Sequence, residues 1–110
     1  MNRLCFACDL ISDPELIDAY IKRHQSIWPE ITESLKEAGI INMEIYNIEN
    51  RLFMIMEVEA HFSLYKKAKM DAGNDKVQEW EALMWKYQQK LPWANEGEKW
   101  LPLNQIYSLQ

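Results

Sequence analysis

Glycine, cysteine and histidine are all scarce in this chain, with three, two and two residues among 110. Three scattered glycines cannot build the Gly-rich loop that cradles a phosphate, which excludes P-loop and dinucleotide-binding chemistry. No serine stands in a nucleophile-elbow pattern. Two histidines with no second cysteine cluster leave no ligand set for a transition metal, so neither metal nor cofactor is expected. Positive charge is the minority sign, 12 Lys and Arg against 17 Asp and Glu, for a net charge of −5. That balance lacks the electrostatic footprint of a nucleic-acid binder. The one basic stretch, Lys66, Lys67 and Lys69, reads as a solvated helix face. No apolar run approaches the roughly 18–20 residues of a membrane span. The N-terminus carries Asp9 where a signal peptide's apolar region would continue, and Asp13 and Glu15 follow. The expected location is cytoplasmic.

The two cysteines, Cys5 and Cys8, form a C-x-x-C spacing. A redox pair needs its first cysteine at a helix N-terminus, where the macrodipole lowers its pKa. The residues around this pair read instead as a strand, where positions three apart face opposite ways. Both therefore read as inert strand cysteines.

What the chain does have is aromatic bulk: five Trp, five Tyr and three Phe, in an otherwise ordinary balance of 48% hydrophobic and 26% charged residues. The length suits one domain spanning residues 1–110. Four of the five tryptophans (Trp80, Trp85, Trp93 and Trp100) lie after residue 79. A core this small has room for few indoles, so some of that surface should line a pocket or an interface.

Hydrophobic periodicity predicts the element order β-α-β-β-α-β. Residues 3–10 form an apolar strand. Ser12-Asp13-Pro14-Glu15 is a helix start, with a capping side chain, a proline and an early acid. Apolar residues from Leu16 to Leu35 keep a 3.6-residue period, with a kink or restart expected at Pro29. Gly39 suits a C-terminal cap. Strands at 41–46 and 52–59, linked by Asn47-Ile48-Glu49-Asn50, read as a hairpin. A helix from His61 to Ala72, a break at Gly73-Asn74-Asp75, and a helix from Lys76 to Lys90 follow. Residues 93–102 read as a loop long enough to act as a lid, and 103–109 as the last strand. This is a ferredoxin-like α+β fold, an antiparallel sheet with helices on one face. Leu52, Met54, Met56 and Val58 share one face of the third strand, while Phe53 and Ile55 lie on the other. Helices can cover only one face. A second copy of the chain is the economical cover for the other, which predicts a homodimer.

Tyr20, His24 and Trp28 are spaced four apart, and each step of four turns only about 40° around a helix. All three share the apolar stripe with Ile17 and Ile31. An imidazole there is either a core histidine satisfied by a backbone carbonyl or an acid/base group beside a ligand space opened at Pro29. His61, at a strand-to-helix junction, reads as a surface or capping residue. A second cluster holds Trp80, Glu81, Met84, Trp85 and Tyr87, with Trp93 beyond it. Trp80 and Trp85 point about 140° apart, so one indole can pack on the sheet while the other lines a cleft. An indole face is a platform for the C–H face of a sugar.

The run Tyr20, His24, Ile27, Trp28, Pro29, Glu30, together with Gly39-Ile40-Ile41-Asn42-Met43-Glu44-Ile45-Tyr46 and Trp85-Lys86-Tyr87, resembles the L-rhamnose mutarotase family over nearly the whole chain. The resemblance implies a dimeric α/β-barrel of ferredoxin-like subunits. It also implies metal-free interconversion of the α and β anomers of a monosaccharide, a 6-deoxyhexose. The family's proton donor falls on His24 and its first substrate-contacting tyrosine on Tyr20. Its adjacent tryptophans correspond here to Met84-Trp85, with Trp80 a turn earlier. A second family tyrosine falls on Met43, with Tyr46 three residues on. Trp28, Trp80, Trp85 and Trp93 complete the expected substrate contacts. The stretches Val77-Gln78-Glu79-Trp80 and Pro92-Trp93-Ala94 look like members assigned to L-fucose rather than L-rhamnose. Two other readings stay open: an oxygenase or haem-handling enzyme of the same dimeric fold, and a sugar-binding module without turnover.

Overall fold

The computed structural model describes residues 2–110. The elements run β1 (Asn2–Leu10), α1 (Pro14–His24), α2 (Pro29–Glu37), β2 (Ile40–Ile48), β3 (Arg51–Val58), α3 (Leu64–Ala72), α4 (Asp75–Met84), β4 (Gln88–Gln89) and β5 (Leu101–Pro102). The sheet order is β2-β3-β1-β4, with β5 also on β1. Every pairing is antiparallel. This is the ferredoxin-like arrangement expected from the sequence.

The alternation along β3 decides which face is covered. Leu52, Met54, Met56 and Val58 are buried under the helices, whereas Phe53 is exposed on the opposite face. Cross-strand register carries the pattern across the sheet. Cys8, Phe6 and Leu4 lie opposite Leu52, Met54 and Met56, while Tyr46 and Ala7 flank Phe53. The open face therefore presents Tyr46, Phe53 and Ile48 to solvent. On that face Asp9 is 3% exposed. It takes a two-pronged contact from its cross-strand neighbour Arg51, at 2.8 and 3.1 Å. Without that pairing a carboxylate so placed would be an uncompensated buried charge.

Local sequence explains where the helices begin. Asp13 caps α1 by accepting the Glu15 amide at 2.9 Å. Asn74 caps α4 by accepting the amides of Lys76 and Val77. The restart expected at Pro29 is a full break. Residue Trp28 takes an extended ψ of 134° because a following proline disfavours the helical region, and Pro29 opens a new helix. Gly39 closes α2 at φ 96°, a left-handed conformation that side chains other than glycine's resist, and its carbonyl accepts the Glu59 amide at 2.9 Å.

Two expectations fail at the C-terminal end. The helix expected over 76–90 stops at Met84, and Gln88–Gln89 become the edge strand β4, paired with Asp9 and Leu10. The unpaired edge of β1 supplies ladder partners that outweigh the helical pattern of the segment. The last strand is not 103–109 but the short β5, opposite Phe6 and Ala7. Pro102 has no N–H with which to extend the ladder. Leu103 donates one further bond to the Cys5 carbonyl at 2.8 Å. Beyond it Ile106, Tyr107 and Leu109 are exposed.

Candidate active site

Between the helices and the sheet lies a cavity of about 330 Å³. Its floor is apolar, made by Phe6 of β1, Met43 and Ile45 of β2, and Met54 and Met56 of β3. Tyr20 and His24 of α1, Ile27 of the link and Ile31 of α2 form one wall. Leu64, Lys67, Ala68 and Asp71 of α3 form a second. Val77, Trp80, Glu81 and Met84 of α4 and the chain at Gln88, Lys99 and Trp100 close the ring. The volume falls in the range of small-molecule sites, which combine apolar walls with a few placed polar groups.

The break at Pro29 matters here. α1 ends at His24, so the imidazole stands on the last turn of a helix rather than beneath a continuing one. Its Nδ1–H donates to the Tyr20 carbonyl one turn back, at 3.0 Å. A carbonyl only accepts, so the neutral ring carries its proton on Nδ1 and its lone pair on Nε2. Burial pushes the His24 pKa below its ordinary value, and the bond to the Tyr20 carbonyl partly opposes that shift. At neutral pH the ring is an uncharged base.

Aromatic neighbours hold that ring in place. The Tyr20 ring lies 4.2 Å from it, centroid to centroid, tilted by 36°. The edge of Trp80 meets it at 5.7 Å, and Trp28 packs edge-on against Trp80 at 5.1 Å. Tyr20 is buried. Its phenol accepts from Gln88 Nε2 at 3.4 Å. Burial drives the Tyr20 pKa upward, with the Cys8 thiol adding to the rise. The phenol therefore remains protonated and acts as a hydrogen-bond donor. Burial likewise pushes the Cys8 thiol up to about 12, in keeping with an inert strand cysteine. Lys99 is desolvated by burial, which lowers its pKa, while Glu81 pulls it back up. Its ammonium sits 4.9 Å above the Trp85 ring.

Of the residues singled out from sequence, His24, Tyr20, Trp80 and Met43 line this one cavity. Trp28 stands behind Trp80 as its support. Trp85 caps α4 and lies half-exposed outside the lining, under Lys99. Tyr46 and Trp93 are elsewhere. They border a separate groove on the open face of the sheet with Arg51 and Phe53, and the Arg51 guanidinium sits 5.5 Å from the Trp93 ring. The reason for Tyr46 is strand parity. Met43 and Ile45 face the cavity, so Tyr46 must face away. Helical spacing left Gln88 unsuspected, because it fell inside the expected helix. Trp100 was counted among the loop aromatics but not placed at the site. Among the described residues, no group of three or more His, Cys, Asp or Glu side chains stands where it could hold a metal ion. No described helix is long and apolar enough to cross a membrane.

A neutral imidazole, a protonated phenol and an indole around a largely apolar space of this volume suit a small uncharged molecule. Residues 3–109 match the family model of L-rhamnose mutarotase. The chain is 42% identical over 111 residues to an L-fucose mutarotase from Xanthomonas campestris, covering 99% of this chain and 89% of the relative. It is 33% identical over 85 residues to the L-rhamnose mutarotase of Escherichia coli K12, covering 76% of this chain and 74% of the relative. The solved L-rhamnose mutarotase from Formosa agariphila superimposes with a TM-score of 0.74 at 25% identity, each chain covered in full. The chain belongs to the L-rhamnose mutarotase family. It is an isomerase that interconverts sugar anomers.

Proposed function

We propose that the sugar is a 6-deoxyhexose, L-fucose in preference to L-rhamnose, and that His24 and Tyr20 carry out the chemistry. The observation that carries the catalytic part is the bond from His24 Nδ1 to the Tyr20 carbonyl, which leaves the Nε2 lone pair of a cavity-lining imidazole for the substrate. The preference for L-fucose rests on the higher identity and fuller coverage of the Xanthomonas relative. The methionine and phenylalanine floor suits the methyl group that distinguishes a 6-deoxyhexose from a hexose.

Mutarotation breaks the bond between the anomeric carbon and the ring oxygen. Neutral His24 takes the proton of the anomeric hydroxyl as that bond breaks, and the electron pair goes to the ring oxygen. The two oxygens share one carbon, so the same imidazolium delivers its proton to the ring oxygen, leaving an aldehyde and a free hydroxyl. Rotation about the adjacent C–C bond presents the other carbonyl face, and the steps reverse. Tyr20 stays protonated and orients the carbonyl oxygen by donating to it. One such acid/base group contributes roughly 10²–10⁴-fold in rate. The alternative of a binding module without turnover predicts that sugar binds while its anomers exchange at the rate in buffer.

We further propose that the active species is a cytoplasmic homodimer. The exposed apolar residues of the open sheet face, Tyr46, Ile48 and Phe53, and those of the C-terminal segment support it. Free thiols at Cys5 and Cys8 suit a reducing compartment. Saturation-transfer NMR between the α and β anomeric signals of L-fucose, L-rhamnose and D-glucose tests the substrate assignment. The expected order of acceleration is L-fucose, then L-rhamnose, with D-glucose last. Exchange no faster than in buffer for all three would overturn it. Light scattering on the same sample is expected to give twice the 13.1 kDa chain mass.

A further inference from the structure

Gln88 lines the cavity, and the mechanism above does not use its side chain. Its side chain is 3% exposed. Its Nε2 donates to the Tyr20 phenol at 3.4 Å. Its Oε1 is buried and has no hydrogen-bond partner among the described residues. Buried side-chain oxygens almost always have a partner, and an orphan among them calls for a reason. The fold does not supply one. β4 is held by backbone pairing of Gln88 with Leu10, which any side chain at that position would allow. An apolar side chain there would forgo only the long bond to the Tyr20 phenol, and would leave no orphaned oxygen. Gln88 also lines the sugar-sized cavity.

We propose that Gln88 is a substrate-binding residue whose Oε1 accepts a hydrogen bond from one ring hydroxyl of the sugar. This rests on the mutarotase reading of the cavity and deepens it. Gln88 and Tyr20 are joined by the bond from Nε2, so they present an acceptor and a donor side by side. The phenolic proton is free to point at the ligand because the phenol oxygen already accepts from Gln88. The amide thus fixes the donor direction of Tyr20 and reads a hydroxyl with its own oxygen. Its selectivity is for a free hydroxyl. A deoxy sugar leaves the oxygen orphaned again, whereas in the bound substrate its hydrogen-bonding capacity is filled.

The test is Gln88→Met, which keeps length and volume and removes both amide groups. Anomer-exchange rates are measured by saturation-transfer NMR against concentration, for L-fucose and its 2-, 3- and 4-deoxy analogues, with thermal melting of the unliganded proteins alongside. KM for L-fucose should rise about tenfold, with a smaller fall in kcat from the freed Tyr20 phenol. The unliganded variant should melt within a few degrees of the wild type, because removing the unsatisfied oxygen offsets losing the bond to the Tyr20 phenol. One of the three deoxy sugars should show the same KM with both proteins, and that sugar identifies the hydroxyl. A KM for L-fucose within threefold of the wild type would overturn the proposal. So would a KM penalty that persists with all three analogues. A variant that fails to fold, or melts far below the wild type, would also overturn it, by making the amide's role one of the unliganded fold. A wild type that accelerates no sugar would bring down the mutarotase reading as well. A wild type that accelerates L-fucose while Q88M matches it would bring down this proposal alone.

Discussion

Replacing His24 with alanine separates what the imidazole does for the fold from what it does for the reaction. In the fold it donates one hydrogen bond, to the Tyr20 carbonyl at 3.0 Å, and packs against the Tyr20 and Trp80 rings at 4.2 and 5.7 Å. The hydrogen bond is at the solvated end of α1, where water can replace it, and contributes about 1 kcal/mol. The two aromatic contacts contribute about 0.5–1.5 kcal/mol each. The expected loss of stability is therefore about 2–4 kcal/mol, enough to lower Tm by roughly 10 °C or more in a domain of this size. In the proposed reaction the imidazole both takes and returns the proton. Its loss should lower kcat by about 10²–10³, or about 3–4 kcal/mol of transition-state stabilisation. His24→Asn resolves the two effects. A short amide can still donate toward the helix carbonyl, so part of the stability should return, but an amide is no base and kcat should stay low. Saturation-transfer NMR gives the rates and calorimetry the stability. Exchange within threefold of the wild type in either variant would refute the catalytic assignment.

The depressed pKa of His24 sets the pH dependence of both rate and stability. The rate should be flat around neutrality and fall as pH drops through that pKa, below about 6.5, because the protonated ring no longer accepts the anomeric proton. Stability moves the same way. The unfolded chain binds this proton more readily than the folded one, so the contribution is whole above the unfolded pKa and is lost as pH falls through the folded value. Trp80→Ala removes a buried indole that touches both His24 and Trp28 and should cost about 3–5 kcal/mol of stability, read by denaturant titration, with KM raised. Trp93→Ala, on the other side of the sheet, should leave KM for L-fucose within twofold. A larger change would show that the open-face groove and the cavity act together.

The sheet and the first helical turns were legible in the sequence because their signals are local. Alternation in β3 put Leu52, Met54, Met56 and Val58 on one face and Phe53 on the other, and packing decided that the helices cover the first. The capping stretch at Ser12-Asp13, the break at Gly73-Asn74-Asp75 and Pro29 marked helix starts through rules that act within four residues. The four-residue spacing of Tyr20, His24 and Trp28 placed three aromatic rings on one stripe, and two of them line the cavity. After Met84 legibility ends. The segment from Trp85 to Gln89 carries a helical pattern, yet it turns to pair with the edge of β1. That edge lies more than seventy residues away in sequence, and no local window contains it.

By itself the sequence determined the class of fold and the kinship of the chain, because each rests on short-range spacing or on residues held in common with relatives. Only the tertiary structure decided which aromatics share a space with His24. Strand parity sent Tyr46 to the open face, and the course of the loop carried Trp93 to the same side, while Trp100 came back to the cavity. The same structure brought Gln88 from the far end of the chain to the Tyr20 phenol. A hydrogen bond between residues 68 positions apart reflects the packing of a helix on a sheet, and that packing is long-range.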